Sequence, residues 1–151
     1  EYGTKVHEAA QAVFEGWTVA EEYPELAMIR GIVEKAKRAD LAYSEMDCTL
    51  PVKECGAVLS GRIDLIAVFD DRVEIHDYKT DVTDRFESEY ELQLSVYAYA
   101  ASQYYSRPAK CFIDYVSMGR TKDFKPIPWE QIVERVEDVI RTENEAKPDS
   151  A

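Results

Sequence analysis

The chain divides into stretches of two hydrophobic periods. From Thr4 to about Gly16, apolar residues fall at Val6, Ala9, Ala10, Val13 and Phe14, the three- and four-residue spacing of one helical face. Pro24 suits the first turn of a second helix, in which Leu26, Ile29, Val33 and Ala36 recur at the same spacing. The period then shortens. Tyr43–Val52, Val58–Phe69 and Arg72–Lys79 are rich in β-branched and aromatic residues and predict three strands, the last two joined by a tight turn at Asp70-Asp71. Ser88-Glu89-Tyr90-Glu91 has the S-x-x-E form of a capping box and predicts the start of a third helix, running to about Tyr105 before Arg107-Pro108 ends it. Lys110–Met118 alternates as a strand, Gly119-Arg120 turns, and Thr121–Ile127 returns as an edge strand. Pro128 then opens a last helix with Trp129, Ile132, Val133, Val136 and Ile140 as its core stripe.

The order α-α-β-β-β-α-β-β-α predicts an α/β (α+β) architecture, a mixed sheet flanked by helices. With 151 residues the chain is sized for one core, expected over residues 1–146, with KPDSA at 147–151 read as a tail or linker. The abrupt opening at Glu1-Tyr2-Gly3 reads as a domain excised from a longer protein. No apolar run approaches the roughly 20 residues that span a bilayer, so no membrane partner is expected. Cys48, Cys55 and Cys111 cannot all pair and form no CxxC, which predicts buried free thiols in a reducing, intracellular (cytoplasmic) setting.

One predicted strand carries charge where a core strand would have Val or Ile. In EIHDYKT, Glu74 to Thr80, alternate residues share a face, so Val73, Ile75, Asp77 and Lys79 form a row that begins apolar and ends charged. Asp64, in SGRIDLIAVFD, is related to Asp77 by the symmetry of the hairpin about Asp70-Asp71, which makes the two carboxylates cross-strand neighbours, with Cβ atoms roughly 5 Å apart. Two like charges at that distance are unfavourable unless a cation lies between them. Oxygen donors suit Mg²⁺ or Mn²⁺. Lys79, further along the row, is placed to stabilise an anion or orient a water. Together these residues are equipment for phosphodiester hydrolysis. The competing reading is a structural Asp77–Lys79 ion pair. On the third helix, Gln93 and Tyr97 at i and i+4 form a polar face that could overlook this point, or a semi-exposed surface. His7, on the first helix with Gln11 and Phe14, matters if that helix packs beside Asp64.

Four motifs in order, GTKVHEAA, SGRIDLI, HDYKT and YELQLSVYAYA, resemble the RecB-type branch of the PD-(D/E)XK nuclease superfamily over about residues 3 to 100. The resemblance implies a restriction-endonuclease-like core. It also implies Asp64, Asp77, His7 and the backbone carbonyl of Tyr78 as metal ligands, Lys79 as the catalytic lysine, and Gln93 and Tyr97 as residues that support the site and touch the nucleic-acid backbone. Glu45, on the first strand, is a candidate behind the ligands, and Arg62 is a candidate for a phosphate or a plain surface charge. Ile63 stands where the superfamily's name has Pro. The iron–sulfur subset of that branch carries three cysteines near its C-terminus; nothing after Cys111 supplies them, so no iron–sulfur cluster is expected.

A net charge of -12 opposes independent DNA binding. Its distribution softens this, because residues 48–129 hold 13 acidic and 10 basic residues. The resemblance implies a tether to a UvrD/Rep-like helicase portion of the same polypeptide, which would raise the local DNA concentration. The expected partner is then DNA, as single strands or duplex ends, in end processing and recombinational repair. The alternative is a catalytically silent module of the same fold that docks DNA ends or protein.

Overall fold

The computed structural model describes residues 1–146; the predicted tail at 147–151 lies outside the described residues. Its elements are α1 (Tyr2–Glu15), α2 (Leu26–Ala36), β1 (Leu41–Val52), a 3₁₀ turn (Lys53–Cys55), β2 (Ala57–Val68), β3 (Val73–Lys79), α3 (Glu87–Tyr105), β4 (Ala109–Tyr115), β5 (Arg120–Phe124) and α4 (Trp129–Ala146). This is the predicted order. The strands form one mixed sheet in the order β1-β2-β3-β4-β5. β1, β2 and β3 make an antiparallel meander, α3 carries the chain across to a parallel β4, and β5 folds back antiparallel as the far edge.

Each sheet face buries its own apolar cluster. On one side Ile66, Val73, Ile75 and Ile113 pack beneath Leu94 and Ala98 of α3 and Ile132 and Val136 of α4. On the other, Leu65, Ala67 and Tyr78 pack against Val6 and Ala9 of α1 and Leu26, Ile29 and Val33 of α2. The helical stripes read from the sequence are therefore the contact faces. No described helix is long and apolar enough to cross a membrane.

Several expectations need correction. Ser88 caps nothing: α3 begins at Glu87 with Phe86 before it and no side-chain cap. Glu91, which a capping box would turn back to the helix start, instead accepts from Lys122 Nζ at 2.6 Å, and Glu87 accepts from the same ammonium at 3.0 Å. Tertiary ion pairs with β5 thus take the carboxylates that local capping would use. β5 stops at Phe124 rather than Ile127, because Pro126 has no amide to donate and the Ile127 N–H bonds Ser95 Oγ at 3.0 Å. β4 stops at Tyr115 rather than Met118: the Val116 amide, shared between Lys79 O and Asp114 O, makes the last bond to β3, and the Met118 amide folds back to Tyr115 before Gly119 turns at φ 68°. Of the three free thiols only Cys111 is buried; Cys48 and Cys55 are partly exposed.

Candidate active site

The hairpin register places the central carboxylates. Pairing Ala67 with Glu74, Ile66 with Ile75 and Leu65 with His76 extrapolates to Asp64 opposite Asp77. The β1–β2 register extrapolates likewise to Glu45 opposite Asp64, between the pairs Ser44–Leu65 and Met46–Ile63. Glu45, Asp64 and Asp77 thus form one row across three strands. Both ladders lose a pairing at that row. Glu45 adopts φ 52°, a left-handed conformation that a non-glycine strand residue adopts only under tertiary constraint.

On β3, the residues whose main chain faces β2 are Glu74, His76 and Tyr78, in step with Arg72 just before the strand, because the Val73 amide points the other way, to Pro108 O. Tyr78 would next exchange main-chain hydrogen bonds with Ile63. Instead the Tyr78 N–H donates to Asp64 Oδ2 at 2.8 Å. The carboxylate has replaced the ladder bond. A residue's N–H and C=O face the same neighbour in an antiparallel pair, so the Tyr78 carbonyl is directed into the same gap.

His7 reaches this gap from α1. Its Nδ1 lies 2.8 Å from Gly3 O and its Nε2 3.1 Å from Asp64 Oδ2. A carbonyl only accepts, so Nδ1 carries a proton; Nε2 against a carboxylate carries the second. The bond to Asp64 accordingly raises the His7 pKa to about 9, against the opposing effect of burial. The Nδ1–H to Gly3 holds the ring so that Nε2 remains the atom presented inward.

Asp77 is 6% exposed. Burial first, and then the neighbouring Asp64, push its carboxyl up to about 7, with Lys79 opposing. Lys79 Nζ stands 2.9 Å from Asp77 Oδ2. The contact has the distance of an ion pair but not the alignment of a hydrogen bond, and Asp77 Oδ2 is the one buried side-chain N or O atom among the described residues left without a hydrogen bond. Lys79 also lies 4.2 Å from the centre of the Tyr90 ring, whose hydroxyl donates to Asp81 at 2.6 Å. Tyr90 was missed in the sequence, although it stands three residues before Gln93 and seven before Tyr97 on α3.

Gln93 Nε2 donates to the Tyr97 hydroxyl at 3.0 Å, confirming the i, i+4 pair. The Tyr97 ring lies over Gly61 of β2, where a Cβ would fall 2.3 Å from its hydroxyl oxygen. The glycine before Asp64 therefore makes room for α3. Glu45 is partly buried; burial and then Asp64 raise its carboxyl pKa, while Arg62 Nη1 is 3.7 Å away. Arg62 itself bonds Asp47 at 3.0 Å on the surface.

His7, Asp64, Asp77, Tyr78 and Lys79 thus lie around one point where β2 and β3 part, with Glu45 beside Asp64 and the Gln93–Tyr97 pair over Gly61, while Arg62 lies apart on the surface. Among the described residues no three His, Cys, Asp or Glu side chains are already gathered as ion ligands. The donors are turned on one another instead: His7 on Asp64, Lys79 on Asp77. Their chemistry nevertheless fits a divalent cation, with two like-charged carboxylates, an oriented imidazole nitrogen and a buried carboxylate oxygen lacking a hydrogen bond.

Residues 4–148 match the family model of the PD-(D/E)XK nuclease superfamily. Among solved structures, a candidate exonuclease from Eubacterium rectale is 15% identical with a TM-score of 0.55, the match covering 99% of this chain and 70% of that one. The structure of SSO0001 is 18% identical with a TM-score of 0.49; the match covers 80% of this chain but only 57% of the length of that protein. No curated protein matches the sequence.

Proposed function

We propose that this chain, which belongs to the PD-(D/E)XK nuclease superfamily, is a divalent-metal-dependent deoxyribonuclease domain that hydrolyses phosphodiester bonds. The observation that carries the reading is the buried Asp77 Oδ2, without a hydrogen bond and beside Asp64, at the point where His7 and Lys79 converge. Asp64, Asp77, His7 Nε2 and the Tyr78 carbonyl would hold Mg²⁺ or Mn²⁺. When bound, the ion would polarise the phosphate and lower the pKa of a water nucleophile.

The protein's own groups do the rest. Lys79, held between Asp77 and the Tyr90 ring, offsets negative charge that develops on the phosphate oxygens. The Nδ1–H bond to Gly3 O fixes the His7 ring so that Nε2, in its neutral form, would be presented to the ion. Gln93 and Tyr97, exposed and buried ends of one hydrogen bond, line the approach from α3 and meet the nucleic-acid backbone.

The four-motif pattern favours the RecB-type branch, with residues 1–146 as one catalytic domain. The net charge of -12 favours delivery of DNA by a tethered motor, such as a helicase portion, in end processing and recombinational repair. The same charge favours a second reading, a silent docking module. Labelled single- and double-stranded DNA incubated with Mg²⁺, Mn²⁺ or EDTA separates the two, with Lys79→Ala as control. Metal-dependent cutting lost in Lys79→Ala supports the enzyme. Absence of both cutting and calorimetric Mn²⁺ binding would leave the docking module.

A further inference from the structure

We propose that His76, Asp114 and Thr121 form a clasp beneath the site that positions the Asp77–Lys79 end of β3 for a divalent ion. The inference rests on the nuclease reading and adds positioning residues to it. His76 Nδ1 lies 2.7 Å from Asp114 Oδ2, and Thr121 Oγ1 donates to Asp114 Oδ1 at 2.7 Å. A carboxylate only accepts, so His76 Nδ1–H is the donor of the first bond.

Three features carry the assignment. First, this end of β3 has a paired strand on one side only. Pairing with β2 ends at His76, opposite Leu65, whereas pairing with β4 runs on to Lys79, opposite Tyr115. Past His76, the Tyr78 N–H bond to Asp64 stands in for the β2 ladder. Asp77, the Tyr78 carbonyl and Lys79 all lie in that one-sided stretch.

Second, the clasp spans the point where the support is lost. His76 faces Phe112 in the β3–β4 register and Tyr78 faces Asp114, so the His76–Asp114 bond runs diagonally across two rungs. A diagonal bond changes length when one strand slides along the other, so it fixes their relative position. Thr121 is the β5 partner of Asp114 and anchors the carboxylate to the next strand. Phe112 stacks on the His76 ring, with centres 4.4 Å apart and planes 8° from parallel, and holds the plane of the imidazole. His76 points to the face opposite Asp77. The clasp therefore restrains the strand without occupying the site.

Third, stability alone does not call for these side chains. His76 is 9% and Asp114 1% exposed, while Leu65, Ala67, Tyr78 and Val116 on the same face form an apolar cluster with α1 and α2. Apolar replacements for a buried pair of this kind are often neutral or stabilising. What the pair supplies is a directional bond, where Val or Ile would supply contact alone.

The test compares His76→Leu, which removes the donor, with His76→Asn, whose side-chain N–H can replace Nδ1–H. Thr121→Val, at an exposed position, loosens the anchor and leaves the buried pair in place. Calorimetry measures Mn²⁺ affinity. Amide hydrogen exchange in EDTA follows the Tyr78 N–H against the Val73 N–H, which is bonded to Pro108 O at the other end of the strand. His76→Leu should weaken Mn²⁺ binding by about 10-fold to 100-fold, the range for groups that orient metal ligands. Thr121→Val should weaken it by about 2-fold to 10-fold, the loss of one hydrogen bond. In both variants exchange at Tyr78 should quicken relative to Val73, and His76→Asn should match the wild type in both readings. A group that only stabilised the fold would lower the melting temperature and quicken both amides together, with Mn²⁺ affinity unchanged; that result overturns the proposal. So does a change in only one of the two readings, or a His76→Asn variant as impaired as His76→Leu. If the wild type binds Mn²⁺ and cuts while no variant weakens binding, the clasp alone is rejected. A wild type that neither binds Mn²⁺ nor cuts rejects the nuclease reading, and the role of the clasp with it.

Discussion

Gly61 and Tyr97 occupy space that only one side chain can fill: a Cβ on Gly61 would lie 2.3 Å from the Tyr97 hydroxyl oxygen and 2.6 Å from its ring. Gly61→Ala should therefore displace Tyr97, break its bond to Gln93 and cost about 1–3 kcal/mol, the usual range for overpacking. In a Tyr97→Ala background the same substitution should cost almost nothing. A double-mutant cycle by urea denaturation measures the difference; equal costs in both backgrounds would refute the coupling.

Asp77 and Asp64 repel one another in a buried place. Asp77→Asn should raise the stability of the EDTA-treated protein by about 1 kcal/mol, worth about 2–4 °C in melting temperature for a domain of this size. Mn²⁺ should stabilise the wild type against heat and leave Asp77→Asn unmoved. A lower melting temperature for the metal-free variant would show that the Lys79 pair outweighs the repulsion.

The ring of Tyr90 holds the Lys79 ammonium at 4.2 Å. Tyr90→Phe keeps the ring and should retain most of the cleavage rate. Tyr90→Ala should lower it by about 2-fold to 30-fold, the equivalent of a cation–π contact of about 0.5–2 kcal/mol. Single-turnover rates of the two variants make the comparison, and equal rates would remove Tyr90 from the site.

Cys111 is fully buried, and burial pushes its thiol up to about 12. A disulfide reagent should titrate Cys48 and Cys55 in the native protein and Cys111 only after unfolding. The unfolded thiol loses its proton near pH 9 and the folded one near 12, so between these values the folded state holds more protons. Stability contributed by this site should therefore fall as pH rises above 9. Cys111→Ser should flatten that part of the profile, and an unchanged slope would assign it to other groups.

Local patterns in the chain were sufficient for the order of helices and strands and for the register that sets Asp64 opposite Asp77, because a short turn sets the register of the hairpin it closes. The same is true of Gln93 and Tyr97, whose contact follows from one helical turn. What only the tertiary structure decided are the relations between distant segments. His7 meets Asp64 because α1 packs across the face of β2; nothing near His7 requires it. Ser88 fails as a cap because Lys122, on the far edge of the sheet, claims both Glu87 and Glu91. Glu45 leaves the usual strand conformation at the row where Asp64 and Asp77 meet, and Gly61 proves to be space for a tyrosine of α3. Periodicity and turns act over a few residues and can be read along the chain. Buried charge, close approach and strain depend on which surfaces meet, and those meetings exist only once the sheet and its helices have assembled.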